Sequence, residues 1–392
     1  MAHTEQTLRE LLNKIATEQN YENPEIIINE TFSGGANYTS KLFEVIIREE
    51  NKEDLHLFAK VATLGEKFRS EVPVMIFDTE RFVYTKLAKI YESLEEENEV
   101  PDEHRLFFTK CYGFDDRKYQ ETVVMENLLV QGYGPYDRFH SFDWEYASSV
   151  ITDLAKMHAL SFAFSKKRPE EFEKTLVMIK MKWKEGAMDS MMQSSSDNAL
   201  KHVKPENLDA LKRFLGQERF IKDFIVNLCT PVRATAIIHA DFRGSNLLHR
   251  VREDGKVDIK IVDLQTLQGG SPVTDLIYFI FTGSDEEFRA KYFDKLLDHY
   301  YLELSASMKR LNLDPEEVFS REDFEYEMKE KLPFGLTLAV FALPVVTVDS
   351  ENAPEVNENL ELSNFSVEKT SDLYAERLNG VVNDYVKWGI LK

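Results

Sequence analysis

His239-Ala240-Asp241-Phe242-Arg243-Gly244-Ser245-Asn246, followed on a returning apolar stretch by Ile261-Val262-Asp263, is the part of the chain that decides the fold. It reads H-x-D-x-x-x-x-N and then a strand-like run ending in Asp. One carboxylate at this spacing can orient and deprotonate an attacking hydroxyl, while an amide oxygen and a second carboxylate hold Mg²⁺ against the phosphates of ATP. Asp241 is therefore the expected base, and Asn246 and Asp263 are the expected metal ligands. Ala236-Ile237-Ile238 is an apolar run that delivers His239 to a loop, and Leu247–Val251 reads as a short strand. Asp254-Gly255 is the preferred pair for a tight hairpin. Val257, Ile259, Ile261 and Leu264 outline the apolar face of the return strand. Asp263 follows the apolar pair Ile261-Val262, where a carboxylate needs a partner or a metal. His239 is expected to orient the loop rather than to act as a base.

Such a site also needs a lysine near the phosphates and a glutamate to hold it. Lys60 interrupts the apolar run Leu57-Phe58-Ala59-Lys60-Val61, and Glu80 lies on the next helical stretch among Phe77, Phe82 and Tyr84. Glu71 is the competing partner. Gly34-Gly35 falls between two strand-like runs, where backbone N–H groups can approach phosphate oxygens. Met125-Glu126-Asn127-Leu128 sits where two parts of the chain would join, and its backbone would meet an adenine; Met125, Glu126 and Leu128 are the candidates. No G-x-x-x-x-G-K-[ST] occurs, which excludes the P-loop class. Asp275 is expected to cap a helix or to fix the catalytic loop from below, and His158 to be a packed helix histidine.

The chain of 392 residues is long enough for more than one small core. Its net charge of −21, from 48 basic and 69 acidic residues, disfavours nucleic-acid and anionic-membrane partners. Cys111 and Cys229 make no disulfide framework and suit a reducing cytosol. With no apolar signal core at Met1–Arg9 and no apolar run long enough for a bilayer, a cytoplasmic protein is expected. Thr4–Glu18 reads as an amphipathic helix; Ile26–Ile28, Lys41–Arg48 and Leu55–Val61 as strands; and Phe68–Glu95 as mostly helical. Leu106–Cys111 and Thr122–Met125 read as two more strands. Beyond them, Phe142–Phe164, Leu208–Leu228, Thr274–Phe281, Glu286–Met308, Arg321–Lys331 and Ser371–Val386 read as helices. Met188–Asn198 and Val345–Asn364 read as loops. The pattern predicts an α+β protein, with a sheet-rich nucleotide-binding part over 1–126 and a helix-rich catalytic and substrate part over 127–392.

Taken together, the segments resemble the ecdysteroid kinase-like family of arthropods, within the choline/aminoglycoside kinase group. The resemblance rests on Ser33–Ser40, Phe77-x-x-Glu80-x-x-x-Tyr84, Leu154–Ser161, the motif hairpin through Val262-Asp263-Leu264-Gln265, and Gly270-Ser271-Pro272-x-x-Asp275-Leu276-x-Tyr278-Phe279. It implies a protein-kinase-like two-lobed fold, with a small antiparallel-sheet N-lobe and a larger helical C-lobe. It also implies ATP- and Mg²⁺-dependent phosphorylation of a small-molecule alcohol, an ecdysteroid or another steroid or xenobiotic. Ala240 stands where the family usually has Gly, Arg243 where it has Trp, Leu264 where it has Phe, and only Asn246 remains of an Asn pair. These departures leave the base and the ligands in place. A cationic amino alcohol is the alternative acceptor, and a non-catalytic binding protein the alternative class. A protein kinase is disfavoured, because Asp275 follows Asp263 too closely to leave room for a peptide-binding segment ending in A-P-E.

Overall fold

The computed structural model describes residues 2–31, 40–71, 76–181, 186, 188–216, 230–349 and 370–392. Five strands form one antiparallel sheet: β1 (Glu25–Thr31), β2 (Ser40–Arg48), β3 (Leu55–Ala62), β4 (Cys111–Asp115) and β5 (Thr122–Glu126), in the order β1-β2-β3-β5-β4. The two-residue period of a strand sorts its side chains between two faces. Phe43, Val45, Ile47, Leu57, Ala59, Val61 and Val124 pack with Leu8, Leu11, Leu12 and Ile15 of helix α1 (Ala2–Glu18) in a core of their own. Leu42, Phe58, Lys60 and Met125 point the other way and line a cleft. Lys60 interrupts the apolar run because it belongs to the second face. Register places it opposite Val123 of β5 and Leu42 of β2.

Helices α2 (Glu66–Glu71), α3 (Ile76–Phe82) and α4 (Ala88–Glu97) follow the third strand, with a π-helical turn at Val83–Leu87 between the last two. The helical part opens with α5 (Trp144–Lys167), whose N-terminus is capped by the Asp143 side chain accepting from Tyr146 N at 2.7 Å. Helices α6 (Pro169–Met178), α7 (Asp189–His202) and α8 (Leu208–Leu215) come next. Two small sheets carry the motif. β7 (Ala236–Ile238) pairs with β10 (Gln268–Gly270), and β8 (Leu247–Val251) pairs with both β6 (Gly134–Pro135) and β9 (Val257–Ile261). Helices Pro272–Gly283, Glu286–Arg310, Arg321–Lys331, Pro333–Phe341 and Asp372–Lys387 complete the larger core. The fold is the expected α+β arrangement of a small antiparallel sheet and a larger helical part.

Three expectations need correction. The strand expected at Leu106–Cys111 lies later, at Cys111–Asp115. The buried Glu95 carboxylate accepts from Leu106 N at 2.8 Å, so that backbone is held by a side chain rather than a ladder. Met188–Asn198 is not a loop. It starts α7, which buries Met191, Met192, Ser195, Ser196 and Ala199 at helical spacing. Helices at Pro169–Met178 and Pro333–Phe341 were not expected; the second is buried along most of its length and so lacks an amphipathic period. Leu208–Leu228 is helical to Leu215, and residues 217–229, including Cys229, lie outside the described residues, as does most of the loop expected at Val345–Asn364.

Candidate active site

The motif loop is held by one buried carboxylate. Asp275, fully buried in the Pro272–Gly283 helix, accepts from His239 N at 2.7 Å and Ala240 N at 2.9 Å. It therefore fixes the loop from below; the N-cap of that helix is Ser271. His158 Nε2 lies 3.3 Å from Asp275 Oδ2, and His158 Nδ1 lies 2.8 Å from the Tyr300 hydroxyl. A tyrosine hydroxyl donating to Nδ1 leaves Nε2–H to donate to the carboxylate. His158 is thus a buried link between helices. His239 ties the loop to the hairpin. Its Nε2 meets Val262 O at 3.0 Å, and its Nδ1 meets Asp241 N at 3.3 Å.

Two residues of this loop hold left-handed backbone: Ala240 at φ +65° and Asp263 at φ +62°. An aspartate tolerates that region, whereas alanine does so at a cost of about 1–2 kcal/mol.

Val262 N donates to Asn246 O at 3.0 Å, which brings the ends of the hairpin side by side. Asn246 Nδ2 donates to Asp241 O at 2.9 Å and to Asp241 Oδ2 at 3.0 Å. The amide is thereby oriented, and its oxygen accepts from Ser245 Oγ at 3.5 Å. Arg243 Nε lies 3.1 Å from Asp241 Oδ1. Tyr278 stands beside the same carboxylate. Burial, and then the charge of Asp241, pushes its phenol well above the ordinary value.

Lys60 comes to this group from the sheet. Its Nζ lies 3.1 Å from both carboxylate oxygens of Glu80 and 2.5 Å from Asp263 Oδ1. Glu80 is fully buried and pairs with this ammonium, while the side chain of the competing Glu71 lies outside the described ones. Burial works against the Lys60 charge, yet Asp263 and Glu80 hold its pKa above the ordinary lysine value. Burial raises Glu80 despite the ammonium beside it. For Asp263 burial acts upward too, but Lys60 outweighs it and holds the carboxyl below the ordinary range.

A cleft of about 330 Å³ runs between the sheet and the hairpin. Leu42, Phe58, Met125, Leu128, Leu248 and Val262 give it apolar walls, and Lys60, Asn246 and Asp263 stand at its polar end. Glu126 N is bonded to Lys110 O at 2.9 Å, and Asn127 N to His56 O at 3.1 Å. Among the described residues the Leu128 N–H makes no backbone hydrogen bond. Met125, Glu126, Leu128, Lys60, Asn246 and Asp263 thus share one cleft, with Glu80 and Asp241 bonded to its polar residues. Gly34 and Gly35 lie outside the described residues. The contact of Tyr278 with the loop was missed; its place three residues after Asp275, on one helix face, was the available signal.

The donors suit a small hard cation. The oriented amide oxygen of Asn246 and the carboxylate of Asp263 are oxygen ligands, and Mg²⁺ commonly completes its shell with phosphate and water. Among the described residues no group of three or more His, Cys, Asp or Glu side chains could hold a metal by itself. Also among them, no helix is long and apolar enough to cross a membrane. The Cys111 thiol is half-buried and pushed up to about 12 by burial, which makes it an inert packing residue.

Comparison with known proteins places the site in context. The model of the ecdysteroid kinase-like family matches residues 34–313. No curated protein matches the chain. Among solved structures, an aminoglycoside-3'-phosphotransferase of type VIII is similar at 14% identity, covering 85% of this chain and 100% of that one, with a TM-score of 0.37. The GDP complex of wild-type aminoglycoside 2'-phosphotransferase-IIIa is similar at 9% identity, covering 96% and 98%, with a TM-score of 0.41. The complex of APH(3'')-Id from Streptomyces rimosus ATCC10970 with ADP and streptomycin is similar at 12% identity, covering 77% and 94%, with a TM-score of 0.32.

Proposed function

The chain belongs to the ecdysteroid kinase-like family, and from that premise we propose that it is an ATP- and Mg²⁺-dependent kinase of small-molecule alcohols, with an ecdysteroid or other steroid or xenobiotic alcohol as acceptor. The observation that carries this reading is the Lys60 ammonium bridging Glu80 and Asp263 at the polar end of an apolar-walled cleft.

In this reading the adenine lies between the apolar walls and meets the Leu128 N–H and backbone of the Met125–Glu126 segment. Lys60, positioned by Glu80, neutralises phosphate charge. Gly34 and Gly35 cover the phosphates. Asn246 and Asp263 hold Mg²⁺, which supplies charge neutralisation on the phosphate oxygens when bound. Asp241 accepts the proton of the acceptor hydroxyl as its oxygen bonds to the γ-phosphorus and the bond to ADP breaks. Asn246, Arg243 and Tyr278 hold the Asp241 carboxylate in place. Most of the rate comes from positioning and from fixed charge. The chain divides at 126/127 into a nucleotide-binding and a catalytic and substrate lobe, and it works in the cytoplasm.

The test uses purified protein with Mg²⁺-ATP and a panel of steroid, phenolic and amino alcohols. Wild type should gain thermal stability with Mg²⁺-ATP and phosphorylate at least one alcohol. Asp263→Asn keeps a side chain that tolerates positive φ; it should lose both effects. Asp241→Asn should lose turnover and keep the stabilisation. Turnover that survives Asp263→Asn overturns the assignment.

A further inference from the structure

A recess of about 650 Å³ lies between α5, the β8–β9 hairpin and residues 102–108, the segment that leads into β4. Small-molecule pockets run from about 300 to 1,000 Å³. The recess takes none of the side chains of the proposed reaction, but it shares backbone with the cleft that holds Lys60. Phe108 of the recess precedes Thr109 of the cleft, and Ile261 precedes Val262 and Asp263. Most of its charged lining is matched from within. Lys156 pairs with Asp153 at 2.8 Å, Arg252 with Asp258 at 3.3 Å and Arg105 with Asp102 at 3.5 Å. Glu103, Glu145 and Lys256 are exposed and keep their water. Lys260 is the exception. It is half-buried, its Nζ donates to Phe107 O at 3.2 Å, and among the described residues no carboxylate lies within ion-pair distance. The carboxylates that act on it from further off are engaged elsewhere: Asp153 by Lys156, Asp258 by Arg250 and Arg252, and Glu126 by Lys110 N and Gln131 Nε2. Burial outweighs their pull and lowers the Lys260 pKa. Beside this ammonium stands Phe107, 56% exposed, with its ring centroid 5.9 Å from Nζ.

We propose that this recess is a second small-molecule site and takes an anionic aromatic compound, with its acidic group on Lys260 and its ring on Phe107. The proposal stands apart from the kinase reading above. A half-buried cation held only by a carbonyl costs free energy until it is paired, and a carboxylate supplies a charge-assisted hydrogen bond. Phe107 offers an open face to which a second ring adds an offset or edge contact. A neutral aromatic uses Phe107 alone, and a cationic one meets Lys260 as a like charge. Lys260 lies three residues before Asp263, and the carbonyl it bonds lies two residues before Thr109. An occupant therefore engages both chain segments that run into the cleft.

The test measures binding by isothermal titration calorimetry with three probes on one scaffold: 2-naphthoate, 2-naphthamide and 2-naphthylmethylamine. Each is titrated into the full chain as wild type, Lys260→Met, Lys260→Arg and Phe107→Ser. Lys260 is half-buried and Phe107 exposed, so neither substitution opens the core. Wild type should bind naphthoate about fivefold or more tighter than naphthamide, the upper end for a partly exposed ion pair. Lys260→Met should erase that difference, Lys260→Arg should keep it, and Phe107→Ser should weaken both probes. Preference for the amide or the amine overturns the proposal, as does a naphthoate advantage that survives Lys260→Met, which would place the probe elsewhere. Naphthoate binding unchanged in Phe107→Ser, or no binding to wild type at millimolar concentration, overturns it as well.

Discussion

Lys60 Nζ lies 2.5 Å from Asp263 Oδ1, an ion pair between the third strand of the sheet and the end of the motif hairpin. The same ammonium is 3.1 Å from Glu80. One cation thus serves two carboxylates, and all three side chains are largely buried. Removing a single member of a buried ion network leaves an uncompensated charge, at about 3–5 kcal/mol. Lys60→Met should therefore lower unfolding free energy in urea by that order, as well as abolish turnover. A stability within about 0.5 kcal/mol of wild type, the range of ordinary surface changes, would show that the network is solvated in solution.

Asp275 makes the second test. Its two oxygens accept from His239 N, Ala240 N and His158. Asp275→Asn turns one acceptor into a donor facing a donor. It should cost about 2–4 kcal/mol, from hydrogen bonds to a buried charge. Turnover should fall further than in a variant destabilised equally elsewhere, because the loop loses its anchor. Denaturation and steady-state kinetics on one preparation check both parts.

Ala240 at φ +65° predicts a gain. Ala240→Gly removes about 1–2 kcal/mol of left-handed strain and returns about 0.4–1 kcal/mol through a freer unfolded chain. A net stabilisation of about 0.5 kcal/mol should appear in urea denaturation, with turnover retained.

Glu95 sets a pH dependence. Burial pushes its carboxyl up to about 7, against the hydrogen bond from Leu106 N. The folded state therefore binds this proton more tightly than the unfolded chain does. The stability Glu95 contributes is fully present below the ordinary glutamate range and is lost as pH rises through about 7. Glu95→Gln keeps the acceptor oxygen and should flatten that part of the stability–pH curve. A curve of unchanged slope between about pH 4 and pH 8, a window spanning the ordinary glutamate value and the raised one, would count against the burial effect.

Much of the site was legible because its residues break local patterns. Lys60 interrupts an apolar strand, Asp263 ends one, and Glu80 sits among aromatics. Each signals a buried charge that needs a partner. Tyr278 and Arg243 were harder, since their contacts with Asp241 depend on how a helix and a loop turn are packed. In the fold, amphipathic helices and alternating strands were readable. Helix α7 was not, because its buried face is built from Met, Ser and Ala and gives little hydrophobic contrast. Nor was the start of β4, where a glutamate distant in sequence claims the Leu106 amide.

The chain from Tyr300 through His158 to Asp275 gives the motif loop a dependence on residues outside the cleft beside the sheet. Tyr300 is fully buried and packs at a tilt against Phe324, two helices away from the loop it supports. A change there need not touch ATP or acceptor to alter both. In a genetic screen, conditional alleles that fail only when warm would be expected at Tyr300 and His158, while null alleles collect at Asp241 and Asp263.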